Sequence, residues 1–335
     1  MERLIKVGSM RVGSFNDISD VKGVRVGHFT KIDGDIRTGI TAIIPHEDNL
    51  FTKKLMGASY VMNGFGKSLG LIQVNELAQI ETPILLTNTL AVGSVANALV
   101  SYMVELNPKI GKEEATVNPL VLECNDGLLN NIQKNVLGLN EVKEAIKKAT
   151  SPIIQGSIGA GAGMVCYGLK GGIGSSSRLF DIEGKTYTLG VLVNTNFGST
   201  ADLMVSGEYI GKKIMHKISS DEKGSIIVVI ATDVGLSHRS MERVIKRASV
   251  GIARTGSIIG HGSGDIFLGF STANPIIKTN KAFRTEEVLS EEYLNILFRA
   301  VVEASEEAIY HSMLYSKKTV GYRAEVSSLA DFLKN

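Results

Sequence analysis

The chain has 335 residues, 44% of them hydrophobic and 21% charged, a composition typical of a soluble globular enzyme and far from that of disordered chains. Its formal net charge is only +2 and it has no long basic run, so we expect neither nucleic acid nor an anionic membrane surface as a partner. The two cysteines, Cys124 and Cys166, lie far apart without metal-ligand spacing, which argues against a disulfide framework or a structural zinc site.

The N-terminus and the length of the apolar runs indicate where the protein resides. Residues 1–19 lack the apolar core of a signal peptide, and no uninterrupted apolar run reaches the roughly 18 residues of a membrane span. We therefore predict a cytoplasmic protein. The length alone leaves one large domain or two closely packed domains open.

Apolar runs bounded by Gly, Asn or Pro predict strands along most of the chain. In chain order they are GVRVGHFT (23–30), TGITAIIP (38–45), TPILLTNT (82–89), NPLVLECN (118–125), GMVCYGLKG (163–171), YTLGVLVNTNFG (187–198), GSIIVVIATD (224–233) and DIFLGFST (265–272).

Helical patterns interleave with these strands. Apolar residues recur at helical spacing over 92–106, 237–254 and 290–313, and Ser290 is a candidate N-cap before two glutamates. The strands and helices come in mixed runs rather than in strict βαβ alternation. This order favours a layered α+β fold over a doubly wound sheet.

Two glycine-rich stretches and six scattered histidines are candidate functional motifs. GSIGAGAGM (156–164) lacks the Lys-Ser/Thr of a phosphate loop, so we interpret it as a loop that packs closely or lines a pocket, and GGIGSSSR (171–178) as a turn. The histidines form no metal pair, and a catalytic triad is not recognisable from spacing. We expect them to be mostly structural.

The stretch SSDEKGSIIVVIATD (219–233) places Ser225 directly after Gly224, where a charged run gives way to β-branched residues. In one interpretation the glycine is a turn residue and the serine begins a buried strand. In the other the chain is cut before Ser225, so that its new α-amino group, with a pKa of about 7.7–8.0, acts as base for its own hydroxyl. Gly224 suits the second interpretation too, because it is flexible and presents no Cβ to hinder attack on its carbonyl.

Here the sequence resembles the N-terminal-nucleophile hydrolases of the L-aminopeptidase D-Ala-esterase/amidase type, which include the β-peptidyl aminopeptidases and the nylon-oligomer endo-hydrolase. The resemblance covers nearly the whole chain and rests on several motifs in the same order. These are FNDISDVKGVRVGH (15–28), TAIIPH (41–46), TPILLTNTLAVGSV (82–95), ECNDGLLNN (123–131), GMVCYGLKGGIGSSSR (163–178), VLVNTNFG (191–198), KGSIIVVIATD (223–233) and GHGSGD (260–265).

The resemblance implies a single self-processing hydrolase domain, 1–335, that cleaves itself between Gly224 and Ser225 into an α-chain, 1–224, and a β-chain, 225–335. It implies a four-layer αββα sandwich in which the new N-terminal serine starts a central strand. It also implies a homo-oligomer, often a tetramer, and no cofactor or metal.

The resemblance also assigns catalytic roles. Ser225 matches the nucleophile, and Ser263 and Asp265 match the pair that hydrogen-bonds its amine. Asn196 matches the side-chain donor of the oxyanion hole. Without the family, the pair at 263 and 265 would be a polar turn, and Asn196 an ordinary residue at a strand end.

Substrate recognition is implied for two further residues. Glu123 matches a carboxylate that receives the free amino group of the substrate, where the residues alone indicate a solvated or ion-paired acid. Asn125 stands where some relatives carry a tyrosine and is expected to line the pocket. Lys67, where an acid is expected, and Ala162, where threonine is common, also depart from the family and bear on substrate preference.

These assignments predict a self-cleaving serine aminopeptidase or amidase that acts on small peptides, amides or esters through an acyl-enzyme intermediate. The alternatives are an endo-acting amidase or an acyltransferase of the same fold, or an uncleaved binding protein without enzymatic activity. The sequence leaves open whether L-α-, D-α- or β-aminoacyl substrates are preferred.

Overall fold

A computed structural model of the chain describes residue 5, residues 7–214 and residues 224–333. The charged run before Gly224, residues 221–223, lies outside the described residues. The strands are β1 (Arg25–Asp33), β2 (Ile36–Ile44), β3 (Lys53–Gly64), β4 (Gln79–Ile80), β5 (Ile84–Asn88), β6 (Leu120–Cys124), β7 (Val165–Cys166), β8 (Leu169–Lys170), β9 (Gly172–Ile182), β10 (Lys185–Asn196), β11 (Met204–Val205), β12 (Glu208–Tyr209), β13 (Gly224–Thr232), β14 (Ser263–Ile277), β15 (Thr319–Val320) and β16 (Glu325–Val326). The α-helices are α1 (Leu71–Leu77), α2 (Val92–Leu106), α3 (Leu139–Lys147), α4 (Gly211–Ile214), α5 (His238–Ile245), α6 (Ala248–Arg254), α7 (Leu294–Leu314) and α8 (Leu329–Leu333).

Two sheets form the centre of the fold. One has four strands in the order β1-β2-β5-β6, and the other has six in the order β4-β3-β14-β13-β10-β9. Within them β5 pairs with β6, and β13 with β14, in parallel, whereas the other neighbouring strands are antiparallel. Both parallel pairs lie in the interior of the molecule, as parallel strands usually do.

The strand β13 shows why its sequence is a continuous apolar run. Ile226 and Val228 pack with helices α5, α6 and α7 in one core cluster, whereas Ile227 and Val229 pack between the two sheets in another. A strand that is covered on both faces needs apolar residues at every position. A third cluster joins α2 and α3 to the outer face of the four-stranded sheet. The layers are therefore helix, sheet, sheet and helix, which confirms the predicted α+β, four-layer αββα sandwich.

The segment Thr89–Leu106, which contains α2, is long and apolar enough to span a membrane by length and composition alone. In the fold its side chains Val95, Ala96 and Leu99 are buried against the four-stranded sheet. It is thus the covering helix of one layer.

Several predicted elements differ from the structure. The strand predicted over 163–171 is a hairpin of β7 and β8, because Tyr167 and Gly168 both adopt positive φ and reverse the chain. The helix predicted over 237–254 is two helices. Between them Arg247 N–H bonds the Val244 carbonyl three residues back, and Ser249 Oγ binds the carbonyl of Lys246, which competes with the helical pattern.

Two further corrections concern a cap and a turn. Ser290 precedes a 3-10 turn, Glu291–Tyr293, and its side chain forms no capping hydrogen bond. GGIGSSSR, predicted as a turn, runs into the long edge strand β9. Glycine is required there because a Cβ on Gly174 would lie 1.9 Å from the Ala308 carbonyl oxygen of α7.

Candidate active site

Ser225 lies near the start of β13, in the middle of the six-stranded sheet. Asn196 is its partner on β10 and Gly264 its partner on β14. The serine is 6% exposed, and its Oγ accepts a hydrogen bond from the Gly264 N–H at 3.2 Å. A Cβ on Gly264 would lie 3.0 Å from this Oγ and 2.5 Å from the carbonyl oxygen of Phe65. Glycine at 264 thus leaves the space that the hydroxyl occupies.

Gly224 is required by its conformation and by its surroundings. Its φ is +116°, and a Cβ there would lie 1.8 Å from the carbonyl oxygen of Asn196. Any other residue would be strained and would collide with the main chain of β10. The strand itself begins at Gly224, and cleavage before Ser225 stays a prediction.

Ser263 and Asp265 form a buried pair beside the main chain of Ser225. The Ser263 hydroxyl donates to Asp265 Oδ1 at 2.6 Å. Because β13 and β14 are parallel, Ser263 lies opposite Gly224 and Asp265 lies two residues further along β14. The pair therefore flanks Ser225, and its role in holding the amine stays a prediction.

A third member of this cluster, Asn63, was missed in the sequence. It lies opposite Asp265 on β3, and its Nδ2 donates to Asp265 Oδ2 at 2.9 Å and to the carbonyls of Ile259 and Gly260 at 3.1 Å each. Both carboxylate oxygens of Asp265 are thus hydrogen-bonded by neighbouring side chains. The only available signal was an asparagine at the end of a strand that the sequence analysis did not predict.

Asn196 presents one end of its side-chain amide to the Gly224 junction. Its Oδ1 accepts the Val165 N–H at 3.0 Å. Because a main-chain N–H needs an acceptor, this contact fixes which end of the amide is the oxygen. The Nδ2 then points to the junction and lies 3.1 Å from the position that a Cβ on Gly224 would take. A hydrogen-bond donor in this place suits a developing oxyanion.

Glu123 reaches the site from the other sheet, at the end of β6. Its carboxylate is 3% exposed and accepts the Lys67 N–H at 2.9 Å and the Thr89 hydroxyl. Gly66 links it to the serine side, because a Cβ there would lie 3.5 Å from Glu123 Oε1 and 3.9 Å from Gly264 Cα. Among the described residues Glu123 has no lysine, arginine or histidine ion-pair partner. Thr89 was not identified from the sequence.

The remaining sequence candidates are Asn125, Lys67 and Ala162. Asn125 is exposed, and its Oδ1 accepts the Gly127 N–H at 2.8 Å, which caps the turn after β6. Its proposed contact with substrate stays a prediction. The Lys67 side chain is exposed and lies 4.4 Å above the Phe65 ring, and Ala162 is buried.

Behind the site lies a buried lysine that sequence reasoning also missed. Lys170 is fully buried, and its Nζ donates to the carbonyls of Gly161, Met164 and Gly171 at 2.9, 2.9 and 2.8 Å. Burial lowers the pKa of Lys170 to about 7, against the opposing attraction of Asp126. Burial likewise raises the pKa of Asp126 to about 7, although hydrogen bonds from Thr38 and Asn130 oppose the shift.

Comparison with known proteins places the chain in a family. The sequence model described as Peptidase family S58 matches residues 16–327. Over 336 aligned residues the chain is 33% identical to the beta-peptidyl aminopeptidase BapA of Sphingosinicella microcystinivorans, covering 92% of this chain and 84% of that protein.

Two solved structures are similar along almost the whole chain. The PH0078 protein from Pyrococcus horikoshii OT3 superposes with a TM-score of 0.95 at 44% identity, covering 99% of this chain and 96% of the other. The L-aminopeptidase D-Ala-esterase/amidase from Ochrobactrum anthropi, described as a prototype for the serine aminopeptidases and a variant of the Ntn hydrolase fold, superposes with a TM-score of 0.90 at 31% identity, covering 96% and 93%. The chain therefore belongs to peptidase family S58 and has the N-terminal-nucleophile hydrolase fold.

Proposed function

We propose that this peptidase is a serine aminopeptidase or amidase that cleaves itself before Ser225 and then releases N-terminal residues from small peptides, amides or esters. The observation that carries the proposal is the position of Ser225 at the start of a central strand, between Asn196 and the Ser263–Asp265 pair. The names of the relatives, an aminopeptidase and an aminopeptidase/amidase, support the same activity.

Self-cleavage uses the junction itself. The Ser225 Oγ attacks the carbonyl carbon of Gly224, and the peptide nitrogen leaves that carbon, takes up the proton that the hydroxyl releases and becomes the amine of Ser225. The resulting ester is hydrolysed by water, which leaves a carboxylate on Gly224 and a free hydroxyl on Ser225. The missing side chain at 224 leaves the carbonyl open to attack, and the Nδ2 of Asn196 supplies a donor for the oxyanion.

Turnover repeats this chemistry on a substrate. The free amine of Ser225, hydrogen-bonded by Ser263 and Asp265, takes the hydroxyl proton as Oγ bonds to the substrate carbonyl carbon. The amide bond then breaks, and the leaving nitrogen receives that proton. Water hydrolyses the acyl ester and restores the serine.

Glu123 accounts for the preference for an unblocked substrate. A carboxylate that is almost buried, hydrogen-bonded by Lys67 N–H and the Thr89 hydroxyl, and without a described cationic partner is suited to a substrate ammonium group. The charge on the substrate then completes a pair that the protein leaves incomplete. This contact favours aminopeptidase action over endopeptidase action.

A panel of aminoacyl p-nitroanilides, each with a free or an acetylated amine, tests this function. We expect acetylation to lower kcat/KM by the equivalent of about 2–5 kcal/mol, because it removes the charge that pairs with Glu123. Glu123→Gln should reduce this discrimination. Glu81→Gln is the matched control, because Glu81 is also buried but pairs with Lys54 at 2.5 Å. Equal rates on free and acetylated substrates would instead indicate an endo-acting amidase.

We also propose a homo-oligomer and favour a tetramer. Large apolar side chains are exposed on the single chain, among them Phe65 at 69%, Ile72 at 87% and Phe283 at 90%. Because singly exposed apolar side chains are also normal on monomers, this part of the proposal rests on the family resemblance. The mass of the assembly in solution, measured by light scattering, tests this part of the proposal.

A further inference from the structure

The buried ammonium group of Lys170 has a complete set of partners. It has three N–H donors, and each meets a main-chain carbonyl, those of Gly161, Met164 and Gly171, at 2.8–2.9 Å. Burying a cation is costly, and an apolar side chain of similar volume often serves stability equally well. The arrangement therefore calls for a role besides packing.

The three carbonyls that accept from Lys170 belong to the two chain segments next to Val165. Gly161 and Met164 precede it along the chain, and Lys170 is its direct partner across the β7–β8 hairpin. The N–H of Val165 donates to Asn196 Oδ1 at 3.0 Å. Lys170 thus fixes the segment whose N–H orients the Asn196 amide.

The orientation of that amide determines what it offers to the reacting carbonyl. With Oδ1 held by Val165, the Nδ2 lies on the Gly224 side and donates. If Val165 moved, the amide would be free to turn and to present its oxygen, which would repel an oxyanion. Misplacement of a catalytic contact by about 1 Å costs on the order of 100-fold in rate.

We propose that Lys170 is a positioning residue for the oxyanion-hole donor Asn196 and acts through the segment 161–165. The inference rests on the proposed function, because it requires Asn196 to be that donor. Lys170 itself touches no reacting atom.

The first test is Lys170→Met, which keeps an unbranched side chain one atom shorter and removes its donors. We expect kcat per active site, with sites counted by a covalent serine reagent, to fall about 10- to 100-fold. KM should change by less than about threefold, because ground-state binding is unaffected. Leu169→Ala is the matched control, since Leu169 is equally buried on the same strand β8 but holds none of these carbonyls. It should lose stability and keep kcat per active site.

The second test combines Lys170→Met with Asn196→Ala. If Lys170 acts through Asn196, its replacement should cost little further activity once the amide is absent. An equal loss in both backgrounds, or an equal loss in Leu169→Ala, would overturn the inference and leave the role of Asn196 intact. Full activity of Asn196→Ala alone would instead refute the proposed oxyanion hole, and the inference with it.

If a variant does not mature, its kcat cannot be measured, and the extent of self-cleavage is compared between variants instead. Uncleaved Lys170→Met beside normally cleaved Leu169→Ala supports the role of Lys170. Cleavage of Lys170→Met at the same rate as the unmodified chain, beside blocked Asn196→Ala, contradicts it. Intact mass of each full-length variant distinguishes these outcomes.

Discussion

Gly224 and Gly264 determine how closely the main chain packs around the Ser225 hydroxyl. A side chain at 224 would collide with the Asn196 carbonyl, and one at 264 would collide with the Phe65 carbonyl and crowd Ser225 Oγ. Both glycines therefore hold the serine between two neighbouring strands at close range. The polar residues that surround it are positioned by the same strand registers.

Asp265→Asn should lower turnover per cleaved chain by about 100-fold or more, while the fold is retained. The Asp265 carboxylate accepts one hydrogen bond from Ser263 and one from Asn63. An asparagine has no negative charge and only one accepting oxygen, so the amine of Ser225 loses the group that orients it. Steady-state kinetics normalised to the cleaved fraction measure this effect. Asp233→Asn is the control, since Asp233 follows the far end of β13 and accepts the Thr188 N–H there. Unchanged turnover in Asp265→Asn would remove this residue from the mechanism.

Some residues of the site could be predicted from the sequence and others could not. Ser225, Asn196 and Glu123 stand in family motifs, so their positions followed from the resemblance. Asn63 lies outside these motifs and Thr89 lies inside one without an assigned role, because a lone polar residue becomes significant only when its partner across a sheet is known. Lys170 was missed for another reason, since lysine is almost never fully buried unless paired.

The connection between β9 and α7 depends on a buried charge cluster. Arg178 is fully buried and donates to Glu303 at 3.1 Å and to Glu307 at 2.6 Å, both on α7. This cluster fastens the edge strand of the large sheet to the longest helix. Because Arg178 belongs to the Gly- and Ser-rich stretch 171–178, its ion pairs hold that stretch against α7 as part of β9.

Arg178→Met should lower the free energy of unfolding by about 3–5 kcal/mol, because it leaves two buried carboxylates without their cation. Urea unfolding of the uncleaved Ser225→Ala chain is the measurement. Lys109→Met provides the comparison, as Lys109 pairs with Glu113 at 2.7 Å on the surface, where such a pair contributes at most about 1 kcal/mol. Equal losses of unfolding free energy in the two variants would show that the buried cluster stabilises the fold no more than a surface ion pair does.

At the level of elements, the sequence predicted those whose pattern is local. Helix α2 has the bounds that its spacing predicts, 92–106, and β13 begins at Gly224 as predicted. The strand β3 was not predicted, because its second half is largely exposed and its pairing with β14 is non-local. The prediction of a turn at the start of β9 is wrong. Its serines donate to main-chain carbonyls of other segments, as Ser175 does to Val191 of β10 at 2.6 Å, and such contacts are not visible in the sequence.

The two sheets supply different halves of the candidate site. The six-stranded sheet carries Ser225, Asn196 and Asp265, and the four-stranded sheet carries Glu123. Packing of the sheets against each other, through the core cluster between them, brings the Glu123 carboxylate near Ser225. The predicted four-layer arrangement is thus what makes one site from distant parts of the chain.

The stability of the whole molecule should fall as the pH drops below 6.5, in part because of His28. Its imidazole is buried between Thr41 at 3.0 Å and the Ile154 carbonyl at 3.1 Å, and burial lowers its pKa from 6.5 to about 4. Between these values the unfolded chain binds a proton that the folded chain does not, so stability is lost as pH falls. The loss amounts to up to about 3 kcal/mol across this window and none above it.

Comparison with His28→Gln isolates this contribution. The difference in unfolding free energy between the Ser225→Ala chain and the same chain with His28→Gln should change with pH between 6.5 and 4. Denaturant midpoints at several pH values give this difference. A difference that stays constant over the window would show that His28 has the same pKa in the folded protein as in the unfolded chain.

The most direct measurement of the central claim is the N-terminal sequence and mass of the mature chains. We predict two fragments of 224 and 111 residues, about 24 and 12 kDa of the 35.9 kDa chain, with the smaller one beginning Ser-Ile-Ile-Val. Ser225→Ala should remain a single chain of full length. A small fragment that begins at any other residue, or normal cleavage of Ser225→Ala, would contradict the assignment of Ser225 as the nucleophile.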